Sequence, residues 1–262
     1  MSANNKGGKK VGLVTGGAGD IGFACAQKMA AMGLDLALLD ITEGERVDER
    51  VRVLHEQGAK VLYLKANVAD RDSVKGALDR LWGEFGRLDV CMCNAAISMN
   101  VPFLEYSAEQ WQEHMDINLS GYFHVCQEVG QRWVAASHKG KIIFTGSWVQ
   151  DIPYKLIAPY CVSKAGAWML ARCAALELAP HGITVNVVAP GIVDAGLTAR
   201  ELRDFPEFRE EFMRLIPLGR IQTADDVAEV VGFLVSPASD YVTGTTITAD
   251  GGCVAGAGSA SK

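Results

Sequence analysis

The sequence predicts an α/β fold, a doubly wound parallel sheet of seven strands with helices on both faces. Two observations predict it. Short apolar runs of strand length alternate with longer amphipathic stretches along the whole chain, the pattern of βαβ units. The first run ends in a glycine-rich turn that opens a helix pattern, as the first unit of such a sheet does. Right-handed crossovers then place helices on both faces.

The strands fall at 11–15, 34–39, 60–64, 88–93, 141–145, 184–189 and 246–249. Each is a near-continuous apolar run, as expected of a parallel strand covered on both sides. Segments of helix length occupy 21–32, 43–57, 71–84, 107–136, 160–179 and 224–235. One irregular region, 190–218, holds Pro190, Pro206 and Pro217 around an Arg/Glu-rich middle. Its part 192–216 reads as a lid or as a solvated helical insertion. A single domain is expected over 10–255, with flexible tails at 1–9 and 256–262.

With 262 residues, 49% of them hydrophobic, the chain can bury a large core without staples. A net charge of -6 argues against a nucleic-acid partner. The longest apolar runs are too short for a membrane span, and the polar, basic segment 1–10 does not read as a signal peptide. Seven cysteines, an odd number, lie mostly in apolar runs without CxxC or Cys/His spacing. Buried thiols in a reducing, cytoplasmic setting are expected, and no metal site.

The turn after the first strand reads Thr15-Gly16-Gly17-Ala18-Gly19-Asp20-Ile21-Gly22. Glycines such as Gly16 and Gly19 let backbone approach a diphosphate, and the helix opening at Asp20 and Ile21 supplies free N–H groups. The second strand runs into Asp40, where an acid accepts from the adenosine ribose hydroxyls and repels a 2′-phosphate. No Arg or Lys stands at 41–42 or within the turn. The expected cofactor is NAD rather than NADP. Asp40 also fits as a cap for the following helix.

Tyr160 and Lys164 are four residues apart at the start of a helix pattern and share one face. Ser147 follows the fifth strand, and Asn118 lies within 107–136. Taking a proton from an alcohol near neutral pH needs a base, and a phenol serves only if its anion is stabilised. A neighbouring ammonium lowers the phenol's pKa, a serine hydroxyl holds the substrate oxygen, and an asparagine orders a water that passes protons to solvent.

Over about residues 9–254 the chain resembles the short-chain dehydrogenase/reductase family. The matching pieces are 15–22, Asp40, Asn67-Val68, 94–97, Asn118, Ser147, Tyr160 to Lys164, Asn186, Pro190-Gly191 and 250–252. The resemblance implies a Rossmann-like sheet of strand order 3-2-1-4-5-6-7, hydride transfer between a substrate carbon and the nicotinamide, and a homotetramer. It makes Tyr160 the general acid/base, Lys164 the ligand of the nicotinamide ribose, Ser147 the group that polarises the substrate oxygen, and Asn118 the holder of the relay water. It places Asn67 and Val68 beside the adenine, Asn94 and Ala95 along the cofactor, and Pro190, Gly191, Ile192 and Val193 at the nicotinamide. Three departures stand out: Asp20 and Asn67 replace the family's usual Gly and Asp, and Ala195 an often-found Thr. Asp20 is expected to turn away from the diphosphate and cap the first helix.

The substrate signal is weaker. The stretch from Ser147 to Tyr154 looks like the glucose 1-dehydrogenase-like branch. Trp148 is expected against a sugar face, with Gln150 and Asp151 on its hydroxyls beside Ser147 and Tyr160. One lid arginine among Arg200, Arg203, Arg209 and Arg214 is a candidate clamp for an anionic substrate. The leading expectation is oxidation of an aldose at C1 to its lactone by NAD. The alternatives are a 3-oxoacyl thioester reductase, a cyclic or steroid secondary-alcohol dehydrogenase, and a dinucleotide sensor without turnover.

Overall fold

The computed structural model describes residues 8–204 and 207–256. Seven strands, β1 (Val11–Thr15), β2 (Asp35–Asp40), β3 (Val61–Lys65), β4 (Val90–Cys93), β5 (Lys141–Thr145), β6 (Thr184–Pro190) and β7 (Thr246–Ala249), form one sheet of order β3-β2-β1-β4-β5-β6-β7. Every pairing is parallel. The apolar runs are strands because both their faces are covered: all of β1 and β4 is buried.

On one face lie α1 (Asp20–Ala31), α2 (Glu45–Glu56) and α9 (Ala224–Val235), packed through Cys25, Met29, Leu54, Val227 and Val231. On the other lie α3 (Arg71–Phe85), α5 (Gly121–Ala135) and α6 (Ala158–Leu178), packed through Leu78, Val125, Trp133, Ala167 and Ala171. The alanines of α6 let it sit close to the sheet. The order reverses between β1 and its neighbours β2 and β4, which opens a crevice at the strands' carboxyl ends.

Two expectations need correction, and a third had left two forms open. The segment 107–136 is α4 (Ala108–Met115), a π turn (Asp116–Ser120) and α5, so a local widening interrupts the α-helical register. The lid-like region folds as α7 (Gly196–Asp204) and α8 (Glu207–Leu215), the helical form of insertion, and α10 (Cys253–Gly256) closes the described chain. Lys9, expected in the tail, is held: its ammonium donates to the Gly58 carbonyl at 2.7 Å. The remaining tails, 1–7 and 257–262, lie outside the described residues. All seven cysteines are free, five of them buried. Among the described residues no helix is long and apolar enough to cross a membrane.

Candidate active site

A cleft of about 970 Å³ opens at the crevice, at the upper end of the ~300–1,000 Å³ usual for small-molecule sites. Its floor at one end is the β1–α1 turn. Gly16 has φ +63°, and a Cβ there would lie 2.9 Å from the Ala95 Cα. A Cβ on Gly22 would lie 2.2 Å from the Gly16 oxygen. Only glycine allows this closeness. The Gly19 N–H closes the turn on the Gly16 carbonyl at 3.0 Å, and the first bond of α1 runs from the Phe23 N–H to the Gly19 carbonyl at 2.9 Å. The N–H groups of Asp20, Ile21 and Gly22 therefore have no acceptor within the helix, and all three residues line the cleft. Such a cradle at the positive end of a helix dipole fits a dinucleotide's diphosphate.

Asp20 does turn, but it does not cap the helix: Gly19 is the N-cap and no side chain caps it. One Asp20 oxygen accepts from Arg46 at 2.6 Å and Arg50 at 2.7 Å, the other from the Gly196 N–H at 2.9 Å. Burial opposes its ionised form, yet these donors outweigh it and hold the carboxyl below its ordinary value. The sequence placed no basic group at this end of the cleft; α2 brings two, and both line it. Asp40 accepts the Ala18 N–H at 2.9 Å and the Thr42 N–H at 3.0 Å, and so locks the turn to the end of β2.

Asn67 and Val68 line the adjoining wall, with the Asn67 oxygen accepting the Ala69 N–H at 3.0 Å. Asn94 ties three strand ends together. Its N–H donates to Thr15 Oγ1 at 2.8 Å, and its oxygen accepts from Thr145 Oγ1 at 3.2 Å. Pro190 at the end of β6 lines the cleft with Gly191 and Val193 after it, and Ala95 lines it as well. The Gly191 backbone passes so near Asp250 that a Cβ would sit 2.7 Å from its Cα.

Ser147 follows β5 and opens a 3-10 turn, Trp148–Gln150. Tyr160 and Lys164 stand one turn apart on α6, whose first turn carries Pro159, where its missing N–H costs no hydrogen bond. All three line the cleft. Burial pushes the Tyr160 phenol up to about 12, and a hydrogen bond with Ser147 pulls the other way. Burial brings Lys164 down to about 7. Its ammonium donates to the Thr145 carbonyl at 2.7 Å and the Tyr122 hydroxyl at 3.1 Å, and stands 5.5 Å from the Tyr160 ring centre. Ser147 thus eases ionisation of the phenol, beside the Lys164 ammonium to which the sequence assigns that work.

Two bonds from below leave the third ammonium proton for the cleft. Tyr122 was missed by the sequence reading; its one signal was a tyrosine four residues after Asn118. Asn118, fully buried in the π turn, exchanges bonds with the Ile97 backbone at 2.8 Å each way and donates to Ser163 Oγ at 3.1 Å. Both its amide protons are committed, so the side chain first serves to fasten the segment after β4 against α6.

The opposite wall combines an aromatic and aliphatic surface with the charged side chains of Lys155, Arg203 and Glu211. Trp148 packs on Tyr154, ring centres 5.6 Å apart, next to the cluster of Ile192, Leu202 and Phe212. Glu211 of α8 accepts from the Tyr154 hydroxyl at 3.1 Å and pairs with Lys155 at 3.2 Å, tying the insertion across this side. Two expected substrate contacts fail here. Gln150 is buried, spends its oxygen on the Ser147 N–H at 3.3 Å, and does not line the cleft; nor does Asp151. Among the lid arginines, Arg203 lines the cleft, while Arg209 faces Asp194 at 3.8 Å and Arg214 faces Glu210 at 3.6 Å. The side chain of Arg200 lies outside the described residues.

Residues 16–254 match the family model described as enoyl-(acyl carrier protein) reductase. The chain is 36% identical to 3beta-hydroxysteroid dehydrogenase 1 of Eggerthella lenta, over 93% of each chain. It is 34% identical to cis-4-hydroxycyclohexanecarboxylate dehydrogenase of Sinomonas cyclohexanicum, over 94% of this chain and 97% of that one. Its fold is similar to a crystal structure of a short-chain type dehydrogenase/reductase from Mycobacterium marinum, with TM-score 0.87 and 31% identity over 93% of this chain and 95% of that one.

Proposed function

Because the chain belongs to the short-chain dehydrogenase/reductase family, whose members interconvert secondary alcohols and ketones, we propose that it is an NAD-preferring dehydrogenase of a cyclic secondary alcohol. The observation that carries this reading is the meeting of Ser147, Tyr160 and Lys164 in one cleft with the glycine cradle and Asp40. When bound, the nicotinamide supplies the hydride acceptor or donor.

The chain's own residues do the rest. The α1 N–H groups and the glycine turn bind the diphosphate. Asp40, at the end of β2, supports NAD because its charge opposes a 2′-phosphate. Ser147 holds the substrate oxygen and, through its bond to Tyr160, eases formation of the phenolate. Tyr160 takes the hydroxyl proton in oxidation and returns it in reduction. Lys164, near half-protonation at neutral pH, offers its remaining proton toward the cleft.

The aromatic and aliphatic wall of Trp148, Tyr154, Ile192 and Phe212 favours a substrate with an apolar ring. Two of the relatives named above act on cyclic alcohols by their names. The aldose expectation drew in part on Gln150 and Asp151, which the cleft does not present. Exposed apolar side chains at Val162, Met169 and Leu176, seven residues apart on α6, support the expected homotetramer.

The test is initial-rate turnover with NAD and NADP over a panel of cyclic secondary alcohols, aldoses and 3-hydroxyacyl thioesters. Turnover of the cyclic alcohols with NAD, absent in Tyr160→Phe, is expected. Activity confined to aldoses or thioesters refutes the substrate class.

A further inference from the structure

The glycine turn of this chain carries an acid, Asp20, at the place a dinucleotide's diphosphate approaches. Two guanidinium groups from α2 meet it there. Arg50 is nearly enclosed: it donates to the Ala18 and Gly19 carbonyls as well as to Asp20, and its guanidinium lies 4.7 Å from the Phe23 ring centre. Its place is fixed by the turn itself. Arg46 is different. Its side chain is 56% exposed, and among the described residues its one ionic partner is Asp20, at 2.6 Å. Arg46 lines the cleft together with Asp40 and Thr42, at the end where an adenosine ribose belongs. A guanidinium there is the group that recognises a phosphate monoester.

This arrangement conflicts with an NAD preference argued from Asp40 alone. Two guanidiniums against one carboxylate would leave that end of the cleft positive and attractive to a 2′-phosphate. Asp20 removes the conflict: with Asp20 and Asp40 the count is two carboxylates against two guanidiniums. Its second oxygen is held by the Gly196 N–H at 2.9 Å, so the carboxylate is anchored from both sides and keeps Arg46 facing the turn.

We propose that Asp20 is a specificity-determining residue that favours NAD over NADP by sequestering Arg46 from the 2′-phosphate position. The proposal rests on the reading of the cleft as a dinucleotide site with Asp40 at the ribose. It adds that the repulsion from Asp40 is effective because a second acid, distant from it in the sequence, withholds the exposed guanidinium of Arg46.

The experiment is calorimetric binding of NAD+ and NADP+ to the full chain, without substrate, for the wild type, Asp20→Asn, Arg46→Gln and the double variant, at one fixed low ionic strength. The wild type binds NAD+ more tightly. Asp20→Asn narrows the ratio of the two dissociation constants by about tenfold, mainly through tighter NADP+ binding, as expected for one released charge near a dianion at intermediate dielectric. Arg46→Gln in the Asp20→Asn background restores the wild-type ratio. Arg46→Gln alone keeps the preference for NAD+ or strengthens it, since it leaves two carboxylates against one guanidinium, an arm that stands even if Asp20→Asn fails to fold.

A ratio unmoved by Asp20→Asn overturns the proposal, as does a shift that survives Arg46→Gln or a preference for NAD+ weakened by Arg46→Gln alone. A wild type that prefers NADP+ defeats the Asp40 reading instead, and the response to Asp20→Asn still decides the role of Asp20.

Discussion

Lys164 gives the structure a signature measurable without substrate or dinucleotide. It is 1% exposed, and burial brings its ammonium from the ordinary lysine value down to about 7. In the unfolded chain the same group titrates near 10.4. Between the two values the unfolded state holds a proton that the folded state has released, so raising pH favours the fold. Each unit in this window is worth about 1.4 kcal/mol, so from about pH 7.5 to 9 Lys164 adds roughly 2 kcal/mol. Below pH 7 that penalty of burying the ammonium is fully present.

The perturbation is Lys164→Met, which keeps the side chain's bulk and removes its titration. The assay is urea unfolding of both proteins at fixed ionic strength across that window. It stops near pH 9 because Cys25 and Cys126, with thiols pushed up to about 12, and Tyr160 act in the opposite sense. In the folded state they keep protons that the unfolded chain loses. The stability difference, wild type minus variant, should rise by about 2 kcal/mol. Parallel profiles would refute the claim that burial depresses the lysine.

Three further outcomes follow from the same geometry. Tyr122→Phe removes one acceptor of the Lys164 ammonium, so the alkaline limb of the pH profile of alcohol oxidation should move down by about one unit; an unchanged profile contradicts a positioning role. Gly22→Ala places a methyl 2.2 Å from the Gly16 oxygen, so the turn must open and dinucleotide affinity should fall at least about tenfold in a binding titration; retained affinity would show that the turn is not the cradle. Met169→Glu with Leu176→Glu on the exposed stripe of α6 should reduce a tetramer to smaller species in sedimentation; a monomeric wild type at micromolar concentration contradicts the assembly.

Much of this was readable from residues alone, for local reasons. A parallel strand covered on both faces is a continuous apolar run, so β1, β5 and β6 announce themselves. Tyr160 and Lys164 share a helix face by spacing, and the glycine turn by composition. What escaped depends on contacts between distant segments or on a register no periodicity resolves. Arg46 and Arg50 reach Asp20 across 26 and 30 residues. The π turn at Asn118 changes the helix register inside an apparently uniform stretch. Gln150 looks like an available amide next to Ser147, yet the 3-10 turn folds it inward to cap that serine. The charged α7 and α8 looked irregular because their apolar face is narrow and serves a small separate cluster.

In the proposed reaction Tyr160, supported by Ser147 and Lys164, exchanges the proton of a cyclic secondary alcohol while the dinucleotide takes the hydride. The most direct measurement is single-turnover reduction of NAD by an excess of enzyme with a cyclic secondary alcohol, for the wild type and Tyr160→Phe, with dinucleotide affinity measured in parallel. A rate loss of at least about a hundredfold is expected in the variant, with NAD affinity nearly unchanged. A variant that turns over at the wild-type rate would contradict it.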